Sequence, residues 1–137
     1  LLVAGLVGFG GAVEAVQAQD GEPGEVLIGI YHVAPGKHVD FLRWQAEAEA
    51  VVAEAGGPAT DWYVHLNGDS WDFISIAPVA ADQDALDEKV ETLRRQKGLP
   101  TGGAAGVAFR QFIASHTDTE AAGPMTVAQL LEGAQGN

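Results

Sequence analysis

Cysteine is missing altogether, and basic residues are scarce: seven Lys and Arg stand against nineteen Asp and Glu. Without thiols there is no disulfide framework and no zinc site of the thiolate kind, and the redox compartment leaves no mark on the chain. A formal charge of −12 lacks the basic footprint that nucleic acid or an anionic membrane surface requires, so neither is expected as a partner. No apolar run reaches the ~20 residues of a membrane span, so stable membrane insertion is not expected either. What remains is a chain of 137 residues, enough to bury a core without staples.

Leu1 to Ala18, LLVAGLVGFGGAVEAVQA, opens with an apolar stretch and closes on Val16-Gln17-Ala18, small residues at the two positions a signal peptidase reads. It is expected to be a signal peptide, truncated at its N-terminus because no Met, Lys or Arg precedes the run. The alternative is a short buried helix, which four glycines in the first eleven residues disfavour. Gln19 to Glu25, QDGEPGE, then reads as a flexible mature N-terminus, and the protein as secreted or periplasmic.

Residues 26–137 read as a single domain, organised around the stretch Val26 to Gly57. Its Val- and Ile-rich opening is a strand, Ala34-Pro35-Gly36 is a turn, and a helix follows. In that helix Phe41, Trp44, Ala48, Val51, Val52 and Ala55 recur at intervals of three and four and share one face. Two strands follow, Ala59 to Leu66 and Trp71 to Ala77, around Asn67-Gly68-Asp69-Ser70. Pairing Leu66 with Trp71 sets His65 opposite Asp72, Val64 opposite Phe73 and Tyr63 opposite Ile74. Trp62, Val64, Leu66, Trp71 and Phe73 then share the face to be covered by helices. A second helix opens at Asp82 or Asp84 and buries Leu86, Val90 and Leu93. Thr101 to Gly106 reads as a flexible glycine-rich connection, Val107 to Ser115 as the fourth strand, and His116 to Met125 as a polar loop. Thr126-Val127-Ala128-Gln129 has capping-box form and starts a short C-terminal helix.

The order β-α-β-β-α-β is the α+β, ferredoxin-like plan: an antiparallel sheet with two helices on one face. Its other face carries Tyr63, His65, Asp72, Ile74 and Ile76 and stays uncovered unless a second sheet packs on it, so a homodimer is expected. The opening Tyr31-His32-Val33-Ala34-Pro35-Gly36-Lys37, with Phe41-Leu42 a turn later, resembles the strand-Pro-Gly-helix start of the dimeric α/β-barrel superfamily, notably its NIPSNAP-like and antibiotic-biosynthesis-monooxygenase-like members. The resemblance implies two sheets facing each other around a pocket that, in different members, holds polyketide-like aromatics, quinols or haem.

The chemistry-bearing set expected from register is His65, Asp72 and Tyr63. A carboxylate opposite an imidazole fixes its tautomer and supports it as a general base, and a phenol donates to an oxyanion. The plainer alternative is a half-exposed cross-strand pair at a hairpin end. Arg110, on the fourth strand, would hold a substrate carboxylate or enolate. Ile74 and Ile76 would supply apolar lining, with His32 and His116 at the sheet ends. The three histidines show no metal-ligand spacing, so no metal is assigned, and no cofactor is called for. Two functions follow: an exported small-ligand-binding protein with its pocket between the two sheets, or a cofactor-independent monooxygenase or isomerase acting on an enolisable or phenolic molecule. A haem-handling role is a third, implied by the resemblance alone.

Overall fold

The computed structural model describes residues 23–136. The leader expected over Leu1 to Ala18 lies outside them. Of the expected flexible stretch Gln19 to Glu25, Gly24 and Glu25 open the first strand. Two compact units part at Pro124: Pro23–Pro124, and a second containing Met125–Asn137.

The larger unit runs β1 (Gly24–Val33), α1 (His38–Glu54), β2 (Asp61–Val64), β3 (Phe73–Pro78), α2 (Gln83–Gln96), α3 (Gly102–Arg110) and β4 (Ile113–Gly123). The four strands form one antiparallel sheet in the order β2-β3-β1-β4. This is the expected ferredoxin-like arrangement, with an additional helix, α3, before the last strand. The second unit contains α4 (Val127–Gln135), which begins as expected: Thr126 accepts from the Gln129 amide while the Gln129 side chain accepts from the Thr126 amide, pairing two donors that a helix start leaves free.

Phe41, Val51 and Val33 are the buried apolar centre. Phe41 lies over the sheet, its ring 5.5 Å from Phe73 and nearly parallel to it, 5.2 Å from Tyr31 and 6.1 Å from Trp62. The face expected for α1 is therefore the one it uses. Glu49 on the same helix accepts the indole N–H of Trp62. Helix α2 starts on Asp82, whose carboxylate accepts from the Ala85 amide, and ends near Arg94 and Arg95, so both termini suit the helix dipole. It packs beside α1 where Gly57 leaves room: a Cβ there would stand 2.5 Å from Val52 and 3.0 Å from Leu86. The Arg94 guanidinium sits 5.6 Å over the Trp44 ring, a cation–π contact joining the two helices.

The hairpin register is as expected, with Val64 opposite Phe73 and Tyr63 opposite Ile74 and a further bond from the His65 amide to the Asp72 carbonyl. Its strands are shorter than expected, and Leu66 is 89 % exposed and Val64 63 %. Neither lies under the helix layer, because β2 is an edge strand that ends at Val64. The opposite face presents Ile28 and Ile30 from β1 beside Ile76 and Ile74 from β3, with Tyr63 53 % exposed next to them.

The fourth strand differs from the expectation. Val107, Ala108, Phe109 and Arg110 end α3 and do not form strand, while the stretch read as a polar loop is most of β4. Ala104, Ala105 and Ala108 favour helix strongly enough to outweigh Gly102, Gly103 and Gly106. Half-buried Ala105, Ala108 and Phe109 recur at the intervals of a helix face. β4 is held by ten pairings with β1, from Gly24↔Gly123 to Val33↔Ile113, with a bulge between His32 and Val33. Backbone pairing orders it, since most of its side chains are exposed.

Candidate functional site

Strand alternation places Gly29, Tyr31 and Val33 on the helix-covered side of β1. Tyr31 lies between neighbours from four elements. Trp62 of β2 stacks 5.7 Å from it, Phe41 of α1 tilts against it, Phe109 of α3 meets it edge-on at 6.3 Å, and His116 of β4, its direct cross-strand partner, lies almost parallel at 6.2 Å. The Tyr31 hydroxyl is 3.3 Å from the hydroxyl of Ser75, a buried residue. Gly29 makes this arrangement possible: any Cβ there would collide with the Tyr31 hydroxyl and come within 2.8 Å of the Ser75 Oγ. Burial pushes the Tyr31 phenol above its ordinary range, the Ser75 bond draws it back in part, and the Asp118 carboxylate adds to the rise.

On β4, His116 and Asp118 are two residues apart and share the helix-covered side of the sheet. The His116 Nε2 is 3.2 Å from an Asp118 carboxylate oxygen. Phe109 meets the His116 ring edge-on at 5.7 Å. Both residues of the pair are roughly half exposed, with side-chain accessibilities of 36 % and 48 %, so a molecule from solvent reaches them.

The residues expected to act together are distributed otherwise. His65 and Asp72 are joined through the main chain, but the Asp72 carboxylate does not support His65. One oxygen accepts from the Val33 amide at 2.7 Å and the other lies 3.1 Å from the His38 Nε2. The Val33 amide lies on the β3 edge of β1, beyond the last β1–β3 pairing at Tyr31 and Phe73, and the first turn of α1 brings His38 alongside. Partial burial raises the Asp72 pKa, but the Val33 amide, the His38 bond and the positive fields of His38 and His32 outweigh it and leave the group below its ordinary value. His65 stands edge-on to Trp71 at 5.0 Å, its Nε2 buried and without a hydrogen-bond partner among the described residues.

Tyr63, Ile74 and Ile76 are on the open sheet face as expected. Arg110 is not on a strand; it is exposed in the last turn of α3, because that stretch is helical. His32 and His116 are on adjacent strands, but His32 pairs with Ser115 and His116 with Tyr31, so they point to opposite faces of the sheet. His32 has Ser70 as its neighbour, 3.5 Å away. Among the described residues no three His, Asp or Glu side chains are grouped to hold a metal ion.

Of Tyr31, Ser75, His116 and Asp118, the sequence-based expectation included His116 alone, although His116-Thr117-Asp118 carries the required period of two. Two grooves lie elsewhere. One of about 550 Å³ runs between α1 and α2 beside Glu54, Glu88, Lys89 and Leu93, and one of about 280 Å³ lies near Glu47, Val51, Lys97 and Leu99. Both are wide open and bring together no acid–base pair like that on β4. No helix among the described residues is long and apolar enough to cross a membrane.

No family model and no curated protein matches the chain. Solved structures do match. A NIPSNAP family protein from Agrobacterium tumefaciens superposes with a TM-score of 0.52 at 20 % identity, covering 75 % of this chain and 94 % of that one. A variant of SnoaB, a cofactor-independent oxygenase from Streptomyces nogalater, superposes with a TM-score of 0.50 at 16 % identity, covering 75 % of this chain and 95 % of that one. Identities this low carry the fold alone, and that fold is the ferredoxin-like α+β arrangement.

Proposed function

We propose that this is an exported small-molecule-binding protein of the dimeric α/β-barrel type, which holds a planar, partly apolar molecule on the helix-covered side of its sheet. The observation that carries this reading is Tyr31: a part-buried phenol bonded to Ser75 and flanked by Trp62 and Phe109. Aromatic walls with one or two fixed polar groups are the usual means of orienting a small ligand. The ligand site moves from the open sheet face, where His65, Asp72, Tyr63 and Arg110 do not converge, to the opposite side. The open face is then left for a second copy of the chain, and its isoleucines and Tyr63 support that pairing. Export rests on the apolar run and small residues of Leu1 to Ala18, and intact-mass measurement of extracytoplasmic protein tests it; cytosolic protein that keeps the leader would refute it.

A direct test of binding uses 2-naphthol as a planar phenolic probe, followed by tryptophan emission and equilibrium dialysis. Saturable binding is expected, and Tyr31→Phe should weaken it about two- to tenfold, the worth of one hydrogen bond. No saturable binding, or equal affinity in Tyr31→Phe, would count against the site.

A further inference from the structure

The loop that closes the β2–β3 hairpin, Asn67-Gly68-Asp69-Ser70, takes no part in the ligand site, and all of its residues are exposed. Gly68 has a φ of +105°, a conformation that residues bearing a Cβ rarely adopt. A Cβ placed there would meet nothing within 4 Å, so the space around it is open. The Ser70 amide is held by the Asp69 carboxylate at 2.6 Å. The Gly68 amide has no acceptor, and the Asn67 side chain no partner, among the described residues. An asparagine amide that nothing holds therefore stands next to an unengaged, unshielded main-chain nitrogen.

We propose that Asn67 is a modification site, at which spontaneous loss of the side-chain amide turns the Asn67-Gly68 link into an isoaspartyl link and loosens the end of the hairpin. The co-reactant is water. In the first step the Gly68 nitrogen attacks the Asn67 Cγ. The new N–C bond closes a succinimide ring, the Cγ–Nδ2 bond breaks, and Nδ2 leaves as ammonia with the proton that the Gly68 nitrogen gives up. In the second step water opens the ring at one of its two carbonyls. Opening at Cγ leaves an ordinary aspartate. Opening at the main-chain carbonyl leaves the chain running through the former side chain, with an extra backbone carbon and a free α-carboxylate. The missing side chain at Gly68 admits the ring, which a Cβ would crowd.

The position of the loop gives the change its consequence, because loop length fixes the register of a hairpin. Just beyond the loop the His65 amide donates to the Asp72 carbonyl at 3.0 Å. The Asp72 carboxylate in turn accepts from the Val33 amide at 2.7 Å and faces His38. Asp72 thus ties the hairpin end to β1 and α1, and an extra backbone carbon between Leu66 and Trp71 pulls on all three.

The test incubates the purified protein in warm, mildly alkaline buffer beside a synthetic peptide of residues 64–71. Peptide mapping reads the mass gain of amide-to-acid conversion, and labelling by an isoaspartyl methyltransferase tells the isoaspartyl product from aspartate. The sequence has one other asparagine, Asn137, so mapping assigns the lost amide without ambiguity. Asn67 in the folded protein should react within about tenfold of the peptide's rate, because a loop that opens at almost no free-energy cost samples the attack geometry as the peptide does. Asn67→Gln, which keeps an amide but cannot close the same ring, should give no such product. The isoaspartyl form, isolated chromatographically, is then compared by hydrogen exchange with Asn67→Asp, which carries the same charge on an ordinary backbone. Exchange at the His65 and Val33 amides should be faster in the isoaspartyl form by about tenfold or more. Asn67 surviving intact while the peptide reacts would overturn the site. Equal exchange in the two forms would overturn the loosening of the hairpin.

Discussion

Replacing Phe41 by Ala examines the fold and the candidate site together. Phe41 is 0 % exposed and is the one large side chain fully buried among the described residues. Its ring meets Phe73 at 5.5 Å, Tyr31 at 5.2 Å, Trp62 at 6.1 Å and Phe109 at 6.2 Å. Truncating a buried Phe to Ala costs about 3–5 kcal/mol, through lost transfer energy and the cavity left behind. Aromatic pairs add about 0.5–1.5 kcal/mol each beyond burial, and they are not additive, so the upper part of that range, about 4–5 kcal/mol, is expected. A domain of this size has about 5–15 kcal/mol in all. Urea denaturation followed by tryptophan emission would show the midpoint falling steeply with the slope unchanged. Leu42→Ala, one residue along and 45 % exposed, should cost less than about 1 kcal/mol. A loss below about 2 kcal/mol at Phe41, or similar losses at both positions, would refute the assigned helix face and the aromatic floor beneath Tyr31.

Gly29→Ala should destabilise the protein by about 1–3 kcal/mol through overpacking against Tyr31 and Ser75, and 2-naphthol affinity should fall with it; a neutral result in both assays would remove the argument for the close approach. Asp72→Ala should cost about 1–2 kcal/mol at pH 7, toward the low end for a charged acceptor because the carboxylate is a third exposed. Since the folded-state pKa of Asp72 is lowered, its contribution is present above the unfolded range near pH ~4 and disappears as pH falls through the folded value. The wild-type and Asp72→Ala stability curves should therefore converge in acid, and curves that stay parallel to low pH would contradict the Val33 and His38 contacts. Ile74→Asp should weaken self-association more than ~100-fold by placing a carboxylate in each copy of an apolar interface. Sedimentation velocity decides, and a variant that remains dimeric, or a wild type that is monomeric at micromolar concentration, would refute the proposed pairing.

The first half of the domain was legible because each of its elements carries its own pattern. Phe41, Trp44, Ala48 and Val51 trace a helix face without reference to anything distant. The hairpin register followed from loop length and alternation, and it survives although the strands are shorter than their apolar extent. The second half was harder for a physical reason. β4 buries little on either side, so Ser115, Thr117 and Thr119 alternate with His116, Asp118 and Glu120 as one polar class against another. What makes that stretch a strand is its ladder with β1, nearly ninety residues away in the chain. The apolar density of Val107 to Ile113 attracted the strand assignment instead, where Ala105, Ala108 and Phe109 were spaced as a helix. His116 and Asp118 lie in the stretch read as loop, so the alternation that sets them on one face was not drawn from it. Asp72 shows the complementary limit: backbone register placed it beside His65, but its side chain took the Val33 amide beyond the end of the β1–β3 ladder and the His38 ring, which register does not describe.

The bulge at the end of β1 has a consequence for how this domain tolerates change. Because His32 pairs with Ser115 and Val33 with Ile113, one residue of β4 is already absorbed there, between the helix α3 and the position of His116. Insertions or deletions in the α3 connection meet the sheet at a point where the ladder is irregular, so α3 is free to lengthen or shorten while His116 and Asp118 keep their side of the sheet. An insertion one step further on, between His116 and Asp118, would find no such slack: with a side-chain period of two, it would turn one of the pair to the opposite face. The segment before the bulge is thus open to variation in length, and the segment after it is held to a fixed count.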